Sequence, residues 1–591
     1  MRMEKKSATT HFLLSALFGL SVFLFFGLVY PHHLHYHEQF QLFLSTPAYF
    51  LQLMAKPGGL AEYMASFLTQ FFLFSWSGAA IMAVLLTSLQ MIIAGVSRRL
   101  RENPLYYPLS FIPAFFFWSL LCDENMMPSG ILSVLIAMVT WRGYLEVKHI
   151  GWKTLYLVIL IPITYWFGGG SAVIPVMGII TCEWMNKESR WSNKVLTTLC
   201  ALSVTVAVLL LIPLLLPQFP YKRMLFGTDF FRFPVYYPTG IPVLWGLLWL
   251  IPVINLFLPA SLKKTGKSRL LFISSLVLIF VAGGLLVMAN RDAGKEEVMA
   301  YDHYVRMQHW DKVIKMADRR SPSSPLAVAC LNLALCKSGK MSDNMFHYFQ
   351  NGPEGLIPTF TRDFTIPMIT GEIYYHLGFI NTAQRFAFEA MESLPNYWKS
   401  GRALKRLAET NLINGEYKVA AKYLRILTHT TFYKKWAHYV LGLLRDETAI
   451  NTHSEWGYLR TYRSKTDFLD SENEKDMMLG ILLQQNLTHY MAYEYLLSYC
   501  LLAKDLEHFM EYFPLGMKLR YDTLPVSYQE ALLYVWSLSH EDPLKTVPYS
   551  VSDKVRQQLA AYQQLYLNAS DPEQALKKNY SGTYWYYLHF R

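Results

Sequence analysis

Charge is scarce in this chain. Asp, Glu, Lys and Arg make up 16% of 591 residues, against about 25% in an ordinary soluble protein. The deficit is concentrated in residues 12–289, which hold nearly all of the long apolar runs, whereas 290–591 reads as charged and Tyr-rich. That division excludes a single soluble globule and predicts a membrane half (1–289) followed by a globular half (290–591). Cysteine is also scarce. Cys122, Cys182, Cys200, Cys330, Cys336 and Cys500 form no CxxC and no metal-ligand spacing, and Cys330 and Cys336 fall on different faces of a helical pattern. A disulfide framework is excluded and buried thiols are expected. Catalytic signatures are missing too. GxSxG, HExxH and a GxGxxG between strand and helix do not occur. Thr265-Gly266-Lys267-Ser268 resembles the end of a phosphate-binding loop, but Ser261 stands where its first glycine belongs. No small-x-small cleavage site follows the apolar stretch Phe12–Tyr30, so that stretch reads as an uncleaved first span.

What is present is a series of apolar segments near the 20 residues a helix needs to cross hydrocarbon. They are Phe12–Tyr30, Phe71–Val96, Leu105–Cys122, Met127–Tyr144, Val195–Pro217, Gly240–Leu258 and Leu270–Met288. Leu155–Phe167 and Ala172–Cys182 are shorter, joined by Gly168-Gly169-Gly170, and read as two short spans or a re-entrant hairpin. About nine passes result, or seven and a hairpin. Basic residues in alternate loops set the orientation. One side collects sixteen: Arg2, Lys5, Lys6, Arg98, Arg99, Arg101, Arg142, Lys148, Lys153, Lys187, Arg190, Lys194, Lys263, Lys264, Lys267 and Arg269. The other has four: Lys56, Lys222, Arg223 and Arg232. The bias predicts a multi-pass protein of the bacterial inner membrane with a cytoplasmic N-terminus and a periplasmic C-terminal half. It also accounts for much of the net charge of +11 without nucleic acid, which is not an expected partner. Few charges fall inside the spans, which argues against a transport pathway.

The outer side carries the candidate chemistry. Pro31–Gly59 contains His32, His33, His35, His37 and Glu38, then an amphipathic run near 40–55 suited to lying along the membrane plane. The outer loop Gln218–Gly240 breaks the charge bias with Lys222, Arg223 and Arg232 among aromatics, and the outer turn Cys122–Gly130 adds Asp123 and Glu124. A carboxylate at this depth can take a proton from an acceptor hydroxyl, and basic groups across a cavity can stabilise a departing phosphate. Glu38, Asp123 and Glu124 are therefore the candidate catalytic residues, with Lys222, Arg223, Arg232 and His37 as candidate substrate contacts. No cofactor is required by this set, although the histidines would admit a divalent metal.

Beyond Glu296 the apolar period is helical. Four hinges, near Trp310, Met341, Ile380 and Tyr417, are spaced 31, 39 and 37 apart, and Ala383 and Ala420 take the small position where paired helices cross. Over about Glu296–Thr430 this resembles tetratricopeptide repeats, which implies an α-solenoid with a concave surface for a protein partner. The terminus Asn579–Arg591 is too aromatic for a free tail; it is expected to dock on the solenoid or return to the membrane surface.

The acidic first outer loop, amphipathic run, many spans and C-terminal helical domain together resemble GT-C-type glycosyltransferases. That resemblance implies transfer of a sugar from a polyprenyl-phosphate donor, with the first-loop carboxylate, here Glu38, as base. The usual paired acid, DD or ExD, is replaced by HEQ. Lys56–Phe72 (KPGGLAEYMASFLTQFF) and the whole layout also resemble an uncharacterised family of large Bacteroidetes-type membrane proteins. The fold expected is all-α. The two functions it accommodates are a lipid-linked sugar transferase and a non-enzymatic, membrane-anchored scaffold or assembly factor for envelope proteins.

Overall fold

The computed structural model describes residues 2–234, 236–258, 268–466, 471, 473–519, 521, 523–540 and 546–591. Lys263, Lys264, Lys267 and the Ser261–Lys267 stretch lie outside the described residues, as do the side chains of Arg2, Lys5 and Lys6. The protein is all-α, 76% helical, with no strand among the described residues. It divides into two compact units. The first comprises Met1–Ala293 with two short pieces from far along the chain, 395–398 and 429–432; the second comprises the rest. One helix runs through Asn290 and the next begins at Ala293, where the first unit ends.

The first unit contains α1 (Arg2–Leu24, continued by a π turn at Phe25–Val29), α2 (Pro31–Phe40), α3 (Pro47–Met54), α4 (Gly59–Thr69), α5 (Ser75–Leu100), α6 (Tyr106–Leu109) and α7 (Phe111–Leu120). It continues with α8 (Ser129–Tyr144), α9 (Ile150–Gly168), α10 (Val173–Met185), α11 (Trp191–Leu215), α12 (Tyr221–Phe226), α13 (Gly240–Phe257) and α14 (Ser268–Asn290). Among the described residues, six stretches are long and apolar enough to cross a membrane: Thr9–Val29, Ser75–Leu100, Ile150–Met185, Trp191–Leu215, Gly240–Phe257 and Ser268–Asn290. The expected segment Leu105–Cys122 is instead split at Ser110 into α6 and the ten-residue α7, and α8 has 16 residues. Only 17% of the apolar window of α11 and 11% of that of α14 are buried. Leu214, Leu215, Leu270 and Leu285 are among their exposed side chains. Apolar surface of this extent is costly in water and neutral in hydrocarbon, which is consistent with a membrane protein.

Residues 31–59 differ from the expected amphipathic run near 40–55. The helix stops at Phe40, residues 41–45 are non-helical, and α3 starts afresh with Pro47 in its first turn and the Thr46 hydroxyl capping the Tyr49 amide. Proline pre-sets the backbone angle of a first helical residue but has no amide to continue a helix from before it. His33, His35, His37 and Glu38 consequently sit buried on α2.

In the second unit, each of the four hinge residues begins a helix. After α15 (Ala293–Arg306), and with α17 (Pro325–Lys337) between the first two, Trp310, Met341, Ile380 and Tyr417 are the first residues of α16 (Trp310–Arg319), α18 (Met341–Asn344), α20 (Ile380–Glu392) and α22 (Tyr417–Leu427). Gly378 and Gly415 end the preceding helices, α19 (Thr365–Leu377) and α21 (Gly401–Asn414), in the left-handed conformation that glycine adopts without strain. α19 packs along α20 and α21 along α22, with Ala383 and Ala420 fully buried. An ion network runs through this core. Arg402 donates to both Asp302 oxygens at 2.7 and 2.9 Å and to Glu372 at 3.2 Å; Arg406 pairs with Glu372 and Glu409 and stacks on Tyr375. The aromatic terminus docks within the same unit: Tyr584 and Trp585 are fully buried, and the Trp585 indole donates to the Glu530 carbonyl at 2.8 Å.

Candidate functional site

Three pieces of the first unit cross in backbone contact: the Lys56–Gly58 turn between α3 and α4, the Gly168–Ala172 turn between α9 and α10, and the Gly227–Asp229 segment after α12. The Gly58 amide donates to the Trp166 carbonyl at 2.8 Å, and the Thr228 hydroxyl donates to the Gly168 carbonyl at 3.0 Å. Gly58 (φ 79) and Gly169 (φ 71) make the crossing feasible. A Cβ at the first would lie 2.6 Å from the Thr228 nitrogen, and one at the second 2.6 Å from the Phe226 oxygen. Glycine is the residue type that takes a left-handed backbone without strain and has no Cβ to clash at such an approach.

The crossing gathers four charges. The Lys56 ammonium lies 2.6 Å from Glu62 Oε2 and 3.5 Å from Asp229 Oδ2, and Arg223 lies 3.8 Å from the same Asp229 oxygen. The Asp229 amide donates to Glu62 Oε1 at 3.1 Å. Asn396, which belongs to this unit and holds a left-handed backbone (φ 61), donates its side-chain amide to Asp229 Oδ2 at 2.6 Å. Glu62 and Asp229 are buried, and Glu62 sits in the first turn of α4, where a helix favours negative charge. Burial lifts the Glu62 carboxyl to about 7 against the pull of Lys56, with Asp229 lifting it further. Burial opposes the Lys56 ammonium, but Glu62 and Asp229 outweigh it and hold that group above the usual lysine range. A carboxyl that titrates near neutrality can both accept and return a proton at working pH.

A second group lies on α2. Arg232 donates to the Tyr36 hydroxyl at 2.9 Å and stands over the Phe40 ring at 4.9 Å. Burial, His33 and the Arg232 guanidinium hold His37 well below the usual histidine range, and burial brings His32 down to about 4. Glu38 shares this helix and is 5% exposed. The two groups are three residues apart on one loop, Asp229–Arg232, which is laced to the Cys122–Gly130 turn. The Arg232 amide donates to the Asn125 carbonyl at 2.7 Å, the Met127 amide to the Phe230 carbonyl at 2.9 Å, and the Ser129 hydroxyl to the Asp229 carbonyl at 2.5 Å.

Of the residues singled out from sequence, Arg223 and Lys56 join the carboxylate cluster, while Arg232, His37 and Glu38 are on or against α2. Asp123 and Glu124 shape the supporting turn, where both accept from the Asn125 side chain at 3.1 Å. Lys222 is exposed on α12. Sequence reasoning missed Glu62 and Asp229. Both stand in stretches it had already marked, one three residues beyond Gly59 and the other between Arg223 and Arg232, and the glycines flanking them were the available signal.

None of the curated proteins and none of the solved structures matches the chain. One family of unknown function, DUF6057, matches residues 6–591. Since that match covers nearly the whole length, both units included, the chain belongs to the DUF6057 family.

Proposed function

We propose that this protein is an integral membrane transferase that moves a sugar from a polyprenyl-phosphate donor at the outer face of the inner membrane. The observation that carries the reading is the convergence of two buried carboxylates, Glu62 and Asp229, with Lys56 and Arg223. In this reaction the acceptor hydroxyl oxygen bonds to the anomeric carbon as the bond from that carbon to the donor phosphate oxygen breaks. The hydroxyl proton passes to a carboxylate, and the released lipid phosphate takes up the charge of Lys56 and Arg223. Glu62 is the base on this reading, and Glu38 is the other carboxylate of the same outer region able to serve. The nine-pass arrangement, with the N-terminus cytoplasmic, would put both on the donor's side of the bilayer.

Replacing Glu62 by Gln, Asp229 by Asn and Glu38 by Gln, each at normal protein level, tests the reading by profiling envelope glycans and lipid-linked sugars. Accumulation of the lipid-linked donor in the Glu62→Gln and Asp229→Asn strains is expected. A change confined to Glu38→Gln would transfer the role of base to Glu38, and an unchanged profile in all three strains would overturn the enzyme reading.

A scaffold function is favoured by a different observation: the cluster's charges already satisfy one another, as a purely structural ion network would. On that reading the second unit, as a tetratricopeptide-like solenoid, supplies the working surface by binding an envelope protein.

A further inference from the structure

We propose that His32 and His35 are two ligands of a divalent transition-metal site of the zinc class at the start of α2. The residues are three apart, so α2 presents both rings on one face, one turn above the other. Their Nδ1 atoms lie 3.3 Å apart, with the ring planes inclined at 64°. Two nitrogens bound to one tetrahedral zinc at 2.0–2.1 Å are separated by roughly 3.3–3.4 Å, the edge of that tetrahedron. The pair is therefore at ligand spacing without any movement of the helix.

The outer shell agrees. Ser75, the first residue of α5, holds its hydroxyl oxygen 3.1 Å from His35 Nε2. A hydroxyl accepting from Nε2–H fixes the tautomer in which the Nδ1 lone pair faces His32, as second-shell partners of metal-bound histidines do. The other two histidines of α2 are engaged differently. The His33 and His37 rings are 4.8 Å apart, Tyr30 stacks on His33 at 4.7 Å, and His37 packs against Phe40 at 5.3 Å. That face is aromatic packing, and it supplies an internal control. The competing account of the 3.3 Å separation is a direct hydrogen bond between the imidazoles, with one Nδ1 protonated.

Cobalt(II) separates the two accounts, because its visible absorption is intense in tetrahedral sites. The full chain, purified in detergent and stripped with a chelator, is titrated with Co²⁺ and then with Zn²⁺ as competitor. One Co²⁺ per chain with tetrahedral absorption is expected, displaced by Zn²⁺. His32→Gln and His35→Gln should each weaken binding at least tenfold, and Ser75→Ala about 10–100-fold, while His37→Gln leaves it unchanged. Absence of a 1:1 Co²⁺ complex in the wild-type chain would overturn the proposal whatever the variants do. So would wild-type affinity in His32→Gln and His35→Gln chains that keep their thermal midpoint.

Discussion

Glu62 is the residue on which the site's behaviour turns, and its titration is measurable apart from any reaction. Its carboxyl titrates at about 7 in the folded chain against an ordinary value of 4.5. The unfolded chain thus releases this proton first, and stability declines as pH rises from about 4.5 to about 7. The difference is worth about 3 kcal/mol at 1.36 kcal/mol per unit. Glu62→Gln should remove that slope from the pH dependence of the thermal midpoint. A slope unchanged by the substitution would mean that another group titrates. Neither Glu62 nor Asp229 stands out in the sequence, since a lone carboxylate in an aromatic stretch reads as a loop charge. Lys56, Arg223 and Arg232 did stand out, because they violate the charge bias of membrane loops. Basic residues that depart from the charge bias were legible; the acids that neutralise them are recognisable only once three distant segments are known to meet.

At the scale of elements, the crossing of the 56–58, 168–172 and 227–229 segments sets the site's geometry. Gly58→Ala forces a Cβ into the Thr228 backbone and a side chain into a left-handed conformation, a combined cost of about 2–5 kcal/mol. Gly284→Ala, in α14 with nothing within 4 Å, should be neutral or stabilising by up to about 1 kcal/mol. Thermal midpoints of the two variants check the contrast, and equal effects would refute it. Element identity was largely legible, because long apolar runs and 3.6-residue periodicity survive any packing. Each of the four hinge residues opens a helix. The break at Phe40 was less legible: hydrophobicity continues through Phe43 and Phe50, and Pro47 outweighs it.

At the scale of the whole molecule, the units are stabilised by different means. The first leaves apolar helices such as α11 and α14 largely uncovered, and so depends on its solvent. The second is built around Arg402, whose removal would leave Asp302 buried without its bidentate partner and Glu372 with Arg406 alone. Arg402→Ala should destabilise the second unit by about 3–5 kcal/mol. Protease resistance of fragments within 294–591 should fall while those from the first unit persist. Simultaneous loss in both units would show that they unfold together. The first unit takes in 395–398 and 429–432, which the composition of the sequence around them gives no sign of.

Asn396 gives the assembly of this site a clock. Asp229 and Asn396 are 167 residues apart, and a chain grows at roughly 5–20 residues per second. For about 8–33 seconds after Asp229 is made, Lys56 and Arg223 already exist to pair with its carboxylate and Asn396 does not. A ribosome that stalls or a chain that ends before residue 396 leaves that carboxylate without its closest donor. The cluster is thus finished late in synthesis, when about two-thirds of the protein has been made.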